Sequence, residues 1–146
     1  MLTQQENQMQ KAAVQEVLDQ YRAALQAIFT GDVNPMVALW SHADDVTYLG
    51  PDNSYRMGWQ EVLADWEAQA AMNLGGSVAF DKVQIVVGPE LAAVHKTVTG
   101  NNVDAAGNPL DVSLRATVIF RQEEGTWKLI SVHADLLPYL IDNAAD

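Results

Sequence analysis

The sequence contains no cysteine, which removes disulfide scaffolds, thiolate metal sites, iron–sulfur clusters and thiol nucleophiles together. Positive charge is also scarce. Lys and Arg number 8 against 19 Asp and Glu, a formal charge of −11 over 146 residues. Nucleic acids and anionic membranes draw much of their affinity from Lys and Arg set against phosphate, so neither is an expected partner. No apolar run approaches the ~18 residues of a spanning helix. The opening MLTQQENQMQ carries neither the basic nor the apolar stretch of an export signal, and the cytoplasm is the expected location. What is present is a folding chain: hydrophobic residues make up 49% and include four Trp, enough apolar surface to offset the entropy of ordering one domain spanning residues 1–146.

Val14, Val17, Leu18, Tyr21, Leu25, Ile28 and Phe29 repeat at helical spacing and predict a long first helix from about Gln4 to Thr30. Thr3 and Glu6 form a capping-box pair at its start, and Gly31 is its stop. Asn34 and Pro35 suit the cap and first position of a short second helix carrying Met36, Leu39 and Trp40. Val46 to Leu49 reads as a strand closed by the turn Gly50-Pro51-Asp52-Asn53. Trp59, Val62, Leu63, Trp66 and Ala70 mark a third helix that ends at Gly75-Gly76. Beyond it the period becomes two, predicting strands Val78–Gly88, Leu91–Gly100, Leu110–Gln122 and Trp127–Leu136 with short turns, an antiparallel meander.

Alternation divides those strands into two registers. The apolar one holds Val94, Lys96 and Val98, then Leu114, Ala116, Val118 and Phe120, then Ile130, Val132 and Ala134. It should face the helices, whose apolar stripes need a sheet to cover them. The polar one holds His95, Thr97 and Thr99, then Ser113, Arg115, Thr117 and Arg121, then Ser131, His133 and Asp135, with Trp127 and Leu129 among them. Lys96 points inward, and because burying an unpaired ammonium is costly, its expected place is near the sheet rim with the head group reaching water.

The ordered set Tyr21-Arg22-Ala23-Ala24-Leu25, Gly31-Asp32, Leu39-Trp40, Ala43-Asp44-Asp45-Val46, Gly58 and Gly125-Thr126-Trp127-Lys128-Leu129-Ile130 leading to His133 resembles the SnoaL-like branch of the nuclear transport factor two-like superfamily. The resemblance spans Val14 to about Leu136. It implies an α+β cone, a curved, mostly antiparallel sheet packed on three N-terminal helices. It also implies a pocket between the concave face and the helices, and a homodimer through the outer face. It names no single activity, since relatives include isomerases, cyclases, dehydratases, epoxide hydrolases, association domains and transport factors.

In the ketosteroid isomerase-like members a Tyr on the first helix works with a carboxylate base on the short strand. Tyr21 occupies the Tyr position; the base position carries Gly50, which cannot take a proton, leaving Asp52 as the nearest carboxylate. Tyr21 and Asp52 are therefore the candidate catalytic pair, and for Asp52 a turn role bonding its own backbone competes. Expected pocket residues are Tyr21 and Leu25, the aromatics Trp40, Tyr48, Trp59 and Trp66 with Leu63, and Lys96, Val98, Val118 and Val132 from the sheet. The Trp rings either line that pocket or fill the cone. Such walls suit a small hydrophobic or aromatic molecule, bound without a cofactor.

His42, Asp44 and Asp45 offer too few converging ligands for an expected metal site. On the outer face His95, Thr97, Arg115, Thr117, His133 and Asp135 read as a polar dimer interface or a solvated surface. No serine sits on a nucleophile-elbow string there. Two readings remain open: a small-molecule binder or cofactor-free isomerase, cyclase or hydratase-type enzyme, and a non-catalytic dimerisation or regulatory association domain.

Overall fold

The computed structural model describes residues 2–145. Helix α1 (Gln4–Phe29) starts where the Thr3 hydroxyl accepts the Glu6 N–H at 3.1 Å, satisfying one orphan donor of the first turn. Val14, Leu18, Tyr21, Ala24 and Ile28 are buried along one stripe. Gly31 then turns the chain away at φ 93°, a backbone shape that costs glycine little. Helix α2 (Asn34–Leu39) is capped differently from expectation: Asp32 Oδ1 accepts the Asn34 N–H at 3.0 Å, and Asn34 is already helical. Trp40 lies just past that helix and bridges to Leu129.

Strand β1 (Thr47–Leu49) pairs with β2 (Tyr55–Met57), which the sequence did not announce because all three of its residues are exposed and show no alternation. Helix α3 (Trp59–Ala71) leads to β3 (Ser77–Val87), β4 (Leu91–Val103), β5 (Pro109–Glu123) and β6 (Thr126–Ala134), and a fourth helix α4 (Pro138–Ala145) follows. The sheet order is β2-β1-β6-β5-β4-β3. The last four strands form the expected antiparallel meander, whereas β1 joins β6 in parallel. The architecture is α+β, with N-terminal helices on an open six-stranded sheet. No helix among the described residues is long and apolar enough to cross a membrane.

A bulge corrects the register of β6. Ile119 pairs with Ser131 but Phe120 pairs with Leu129, so Ile130 is an extra residue. One inserted residue moves everything beyond it to the opposite face. Trp127 and Leu129, expected beside His133, are therefore buried on the helix side together with Val132. Trp127 Nε1 donates to Gln10 Oε1 of α1 at 3.2 Å. A second bulge, between Asp81 and Gln84 of β3, places Lys82 at φ 52°. Elsewhere the alternation holds: Val94, Val98, Val118 and Phe120 are buried, while His95, Thr99 and Arg115 are exposed.

Candidate functional site

The apolar stripe of α1, the short strand β1 and the inner face of β4 to β6 enclose a cavity of about 70 Å³. Its apolar wall includes Leu25, Val98, Leu114 and Val132, and Pro51, Leu137 and Leu140 close the end beside α4. The Leu137 N–H donates to the Pro51 carbonyl at 2.8 Å, fixing the chain that enters α4 across the turn after β1. Tyr139 Oη donates to Asn102 Oδ1 at 2.7 Å, and Asn102 Nδ2 donates to the Gly75 carbonyl at 3.0 Å. The buried amide of Asn102 is thus used on both sides.

Four other polar side chains meet the cavity: Gln69 from α3, and Tyr21 from α1, Tyr48 from β1 and Lys96 from β4, the last three each no more than 4% exposed. Lys96 does not reach water, contrary to expectation. It lies mid-strand on β4, opposite Ala116, and is only 4% exposed. Nζ sits 4.1 Å from the Phe80 ring centroid and 5.4 Å from that of Tyr21, within the range of a cation–π contact. Among the described residues no carboxylate pairs with it. Burial pulls its pKa from 10.5 down to about 8, since desolvation disfavours the charged form.

The two phenols are held neutral. Burial alone pushes Tyr21 upward; Tyr48 rises through burial first and through nearby Tyr21 and Asp65 second, against a bond from Gln69 that lowers it. Gln69 Nε2 donates to Tyr48 Oη at 2.8 Å and to Asp65 Oδ1 at 3.0 Å, so the amide orientation is set by the carboxylate. Asp65 Oδ2 accepts from Arg56 Nε at 3.0 Å and from Ser54 Oγ at 3.3 Å. This buried carboxylate on α3, with Gln69 four residues on, was missed. Its signal was an acid set directly beside the apolar stripe of Val62 and Trp66.

Asp52 does not join the cavity lining. Its Oδ1 accepts the Ser54 N–H at 3.1 Å, the bond expected of a turn residue. The base position holds Gly50, where an added Cβ would crowd its neighbours, lying 2.9 Å from Ser54 Oγ, 3.0 Å from Asp52 Oδ1 and 3.2 Å from the Tyr48 ring. Of the expected pocket residues, Tyr21, Leu25, Tyr48, Lys96, Val98 and Val132 come together around the cavity. Trp40, Trp59, Leu63, Trp66 and Val118 stand outside its lining. The Trp rings fill the cone instead: Trp40 packs at 6.3 to 6.5 Å from Trp66 and Trp59, and Tyr48 stacks on Trp66 at 4.5 Å. Tyr48 therefore lays its ring face on this cluster and also lines the cavity.

His42 stacks on Trp59 at 4.2 Å, with Nε2 on the Val37 carbonyl at 2.8 Å. Asp45 pairs with Arg121 at 2.7 Å. Across the sheet, His95, Thr97, Arg115, Thr117, His133 and Asp135 border a shallow depression of about 390 Å³. Arg115 grips Asp135 through Nε at 2.7 Å and Nη2 at 3.3 Å, and His95 Nδ1 bonds Thr117 Oγ1 at 2.9 Å.

Comparison with known proteins places this geometry. A candidate dehydratase of the NTF2-like family from Streptomyces avermitilis superposes with a TM-score of 0.78 at 22% identity, over 89% of this chain and 97% of that one. A candidate calcium/calmodulin-dependent protein kinase type II association domain from Thiobacillus denitrificans gives 0.70 at 20%, over 83% and 92%. A candidate aromatic ring hydroxylase from Novosphingobium aromaticivorans gives 0.72 at 17%, over 86% and 87%. These likenesses establish a shared fold. No curated protein matches the sequence. The SnoaL-like domain model matches residues 14–138, and with that span covering both the cavity and the meander, the chain belongs to the SnoaL-like domain family.

Proposed function

We propose that the chain binds a small, largely apolar molecule in the cavity between α1 and the inner sheet face. The observation that carries this reading is the convergence of Tyr21, Tyr48 and Lys96 on an otherwise apolar hollow. Apolar walls supply affinity by area, and a few fixed polar groups supply orientation. The candidate dehydratase and ring hydroxylase of the same fold lend general support. An isomerase, cyclase or hydratase reaction here would use Lys96 as its base, because no carboxylate among the described residues lines the cavity.

Thermal unfolding with small neutral ketones such as acetone tests the binding reading. A ligand that binds only the folded state raises the melting temperature by mass action. Replacing Tyr21 by Phe should weaken the binding by roughly 1 to 3 kcal/mol through the lost hydrogen bond. If no compound shifts the midpoint the reading fails, and equal affinity in Tyr21→Phe would return Tyr21 to core packing.

One observation favours a second reading, a non-catalytic association domain that assembles through its outer sheet face. The cavity of about 70 Å³ is about half the ~150 Å³ of an apolar cavity that accepts benzene, while the outer face presents an unobstructed polar surface around Arg115, Thr117 and His133. The association domain of similar fold supports this reading.

A further inference from the structure

We propose that the cavity ligand is a small carboxylic acid whose carboxylate is received by Lys96, Tyr21 and Tyr48. This rests on the cavity-binding reading above and adds the charge of the ligand.

The argument is an inventory of protons. Lys96 Nζ has donors and, among the described residues, no acceptor. Tyr21 has no hydrogen-bond partner for its hydroxyl among the described residues, and burial keeps that hydroxyl protonated. Tyr48 Oη already accepts from Gln69, whose orientation Asp65 fixes, so the Tyr48 proton is left to give. Three donors thus face one small hollow that has no acidic side chain in its lining among the described residues. A buried cation without a counter-ion is costly, and an anionic ligand removes that cost while satisfying the unpaired donors. A neutral amide or alcohol of the same shape supplies the acceptor but not the charge. The net charge of −11 does not oppose this strongly at close range, because surface charges are screened beyond about 8 Å in physiological salt.

Size narrows the class. A hollow of about 70 Å³ has room for roughly two to three water-sized groups, at a water's ~30 Å³ share of liquid volume. It suits short-chain acids, and an aromatic acid would have to displace Leu137 and Leu140.

The test compares acetate with acetamide, titrated into the full chain and followed by NMR shifts of the cavity-lining residues. Acetate is expected to bind at least tenfold more tightly than acetamide, and Lys96→Met to abolish that preference while retaining acetamide binding. Above pH 6, where the acid is ionised, acetate affinity should hold up to about pH 8 and then fall toward that of acetamide as the free Lys96 loses its proton. The groups facing Lys96 do not confuse this window: Tyr21 and Tyr48 are held neutral far above it, Gln69 and Asn102 carry no charge, and Arg115, His95 and His133 lie on the opposite sheet face. Asp52 and Asp65 act on Tyr48 from outside the lining.

Equal binding of acid and amide, or a flat profile from pH 7 to 9.5, overturns the charge assignment and leaves the cavity reading standing. Shifts with neither compound, nor with acetone, remove the cavity reading and this proposal together. Should Lys96→Met fail to fold, the pH profile of the unaltered chain decides.

Discussion

Lys96 and Arg115 stand one step apart on neighbouring strands, Lys96 opposite Ala116 and Arg115 opposite Thr97, yet the sheet treats these two cations in opposite ways. Arg115 faces out, its side chain 83% exposed and forked onto Asp135. The partner and the solvent both favour its charge, and its pKa is raised, first by the hydrogen bond it donates to Asp135. Lys96 faces in, 4% exposed, over two aromatic rings and with no carboxylate partner among the described residues, and burial depresses it to about 8. The outer cation is compatible with folding for its own sake. The inner one works against folding, so its place in the cavity is better explained by what it can receive than by what it stabilises.

The largest effect should come from moving the boundary between those two environments. Deleting Ile130 would remove the bulge that lets Leu129 and Val132 share the inner face. Either Trp127 and Leu129 or Val132 and Ala134 would then turn outward. Exposing Trp127 and Leu129 alone costs about 5 kcal/mol at the usual value of about 1.5 to 3 per large apolar side chain, a large part of the stability of a domain this size. Urea unfolding should show this loss against Ile130→Ala, which keeps the bulge and should cost far less. Equal midpoints for the two variants would mean that the bulge does not set the faces.

A smaller effect should follow the inner cation itself. Between the folded value of about 8 and the unfolded value of 10.5, the folded chain has released a proton that the unfolded chain still holds, so stability rises with pH across that window. The full shift corresponds to about 3 kcal/mol. Lys96→Met, close in shape and without charge, should be more stable than the unaltered chain at pH 7, and the gap should close toward pH 10. Parallel profiles for the two proteins would show that the amine is not desolvated.

Much of this contrast was legible in the sequence because alternation is a strong signal wherever one face is buried. Val94, Val118 and Phe120 fell on the inner face and His95 and Arg115 on the outer one by counting twos. The count failed at Ile130, since Ile130 and Ser131 fit either face and nothing local marks an inserted residue. It also failed for β2, three exposed residues held by pairing with β1. The cavity was legible in its aliphatic and phenolic parts but not in its extent: helical spacing shows that Trp59 and Trp66 face the core, not that the rings pack against Trp40 and His42 away from the hollow. Asp65 escaped because one acid on a helix ordinarily faces water. Its partners Arg56 and Ser54 lie on a strand and turn whose position only the folded chain defines.

The smallest effect on folding should come from the outer cation, and that is what makes it informative. Arg115→Glu sets a carboxylate against Asp135 on an exposed surface, where solvent screens both charges, so the unfolding midpoint should move little. Assembly is another matter. A patch that meets its own copy across a two-fold axis confronts each changed residue with the partner's unchanged surroundings as well as its own. If the face around Arg115, Thr117 and His133 joins two copies, light scattering should report a monomer for Arg115→Glu at a concentration where the unaltered chain is a dimer. An unchanged dimer would remove this face as the interface. A monomer in both proteins would remove the association reading altogether and leave the inner cavity as the molecule's working surface.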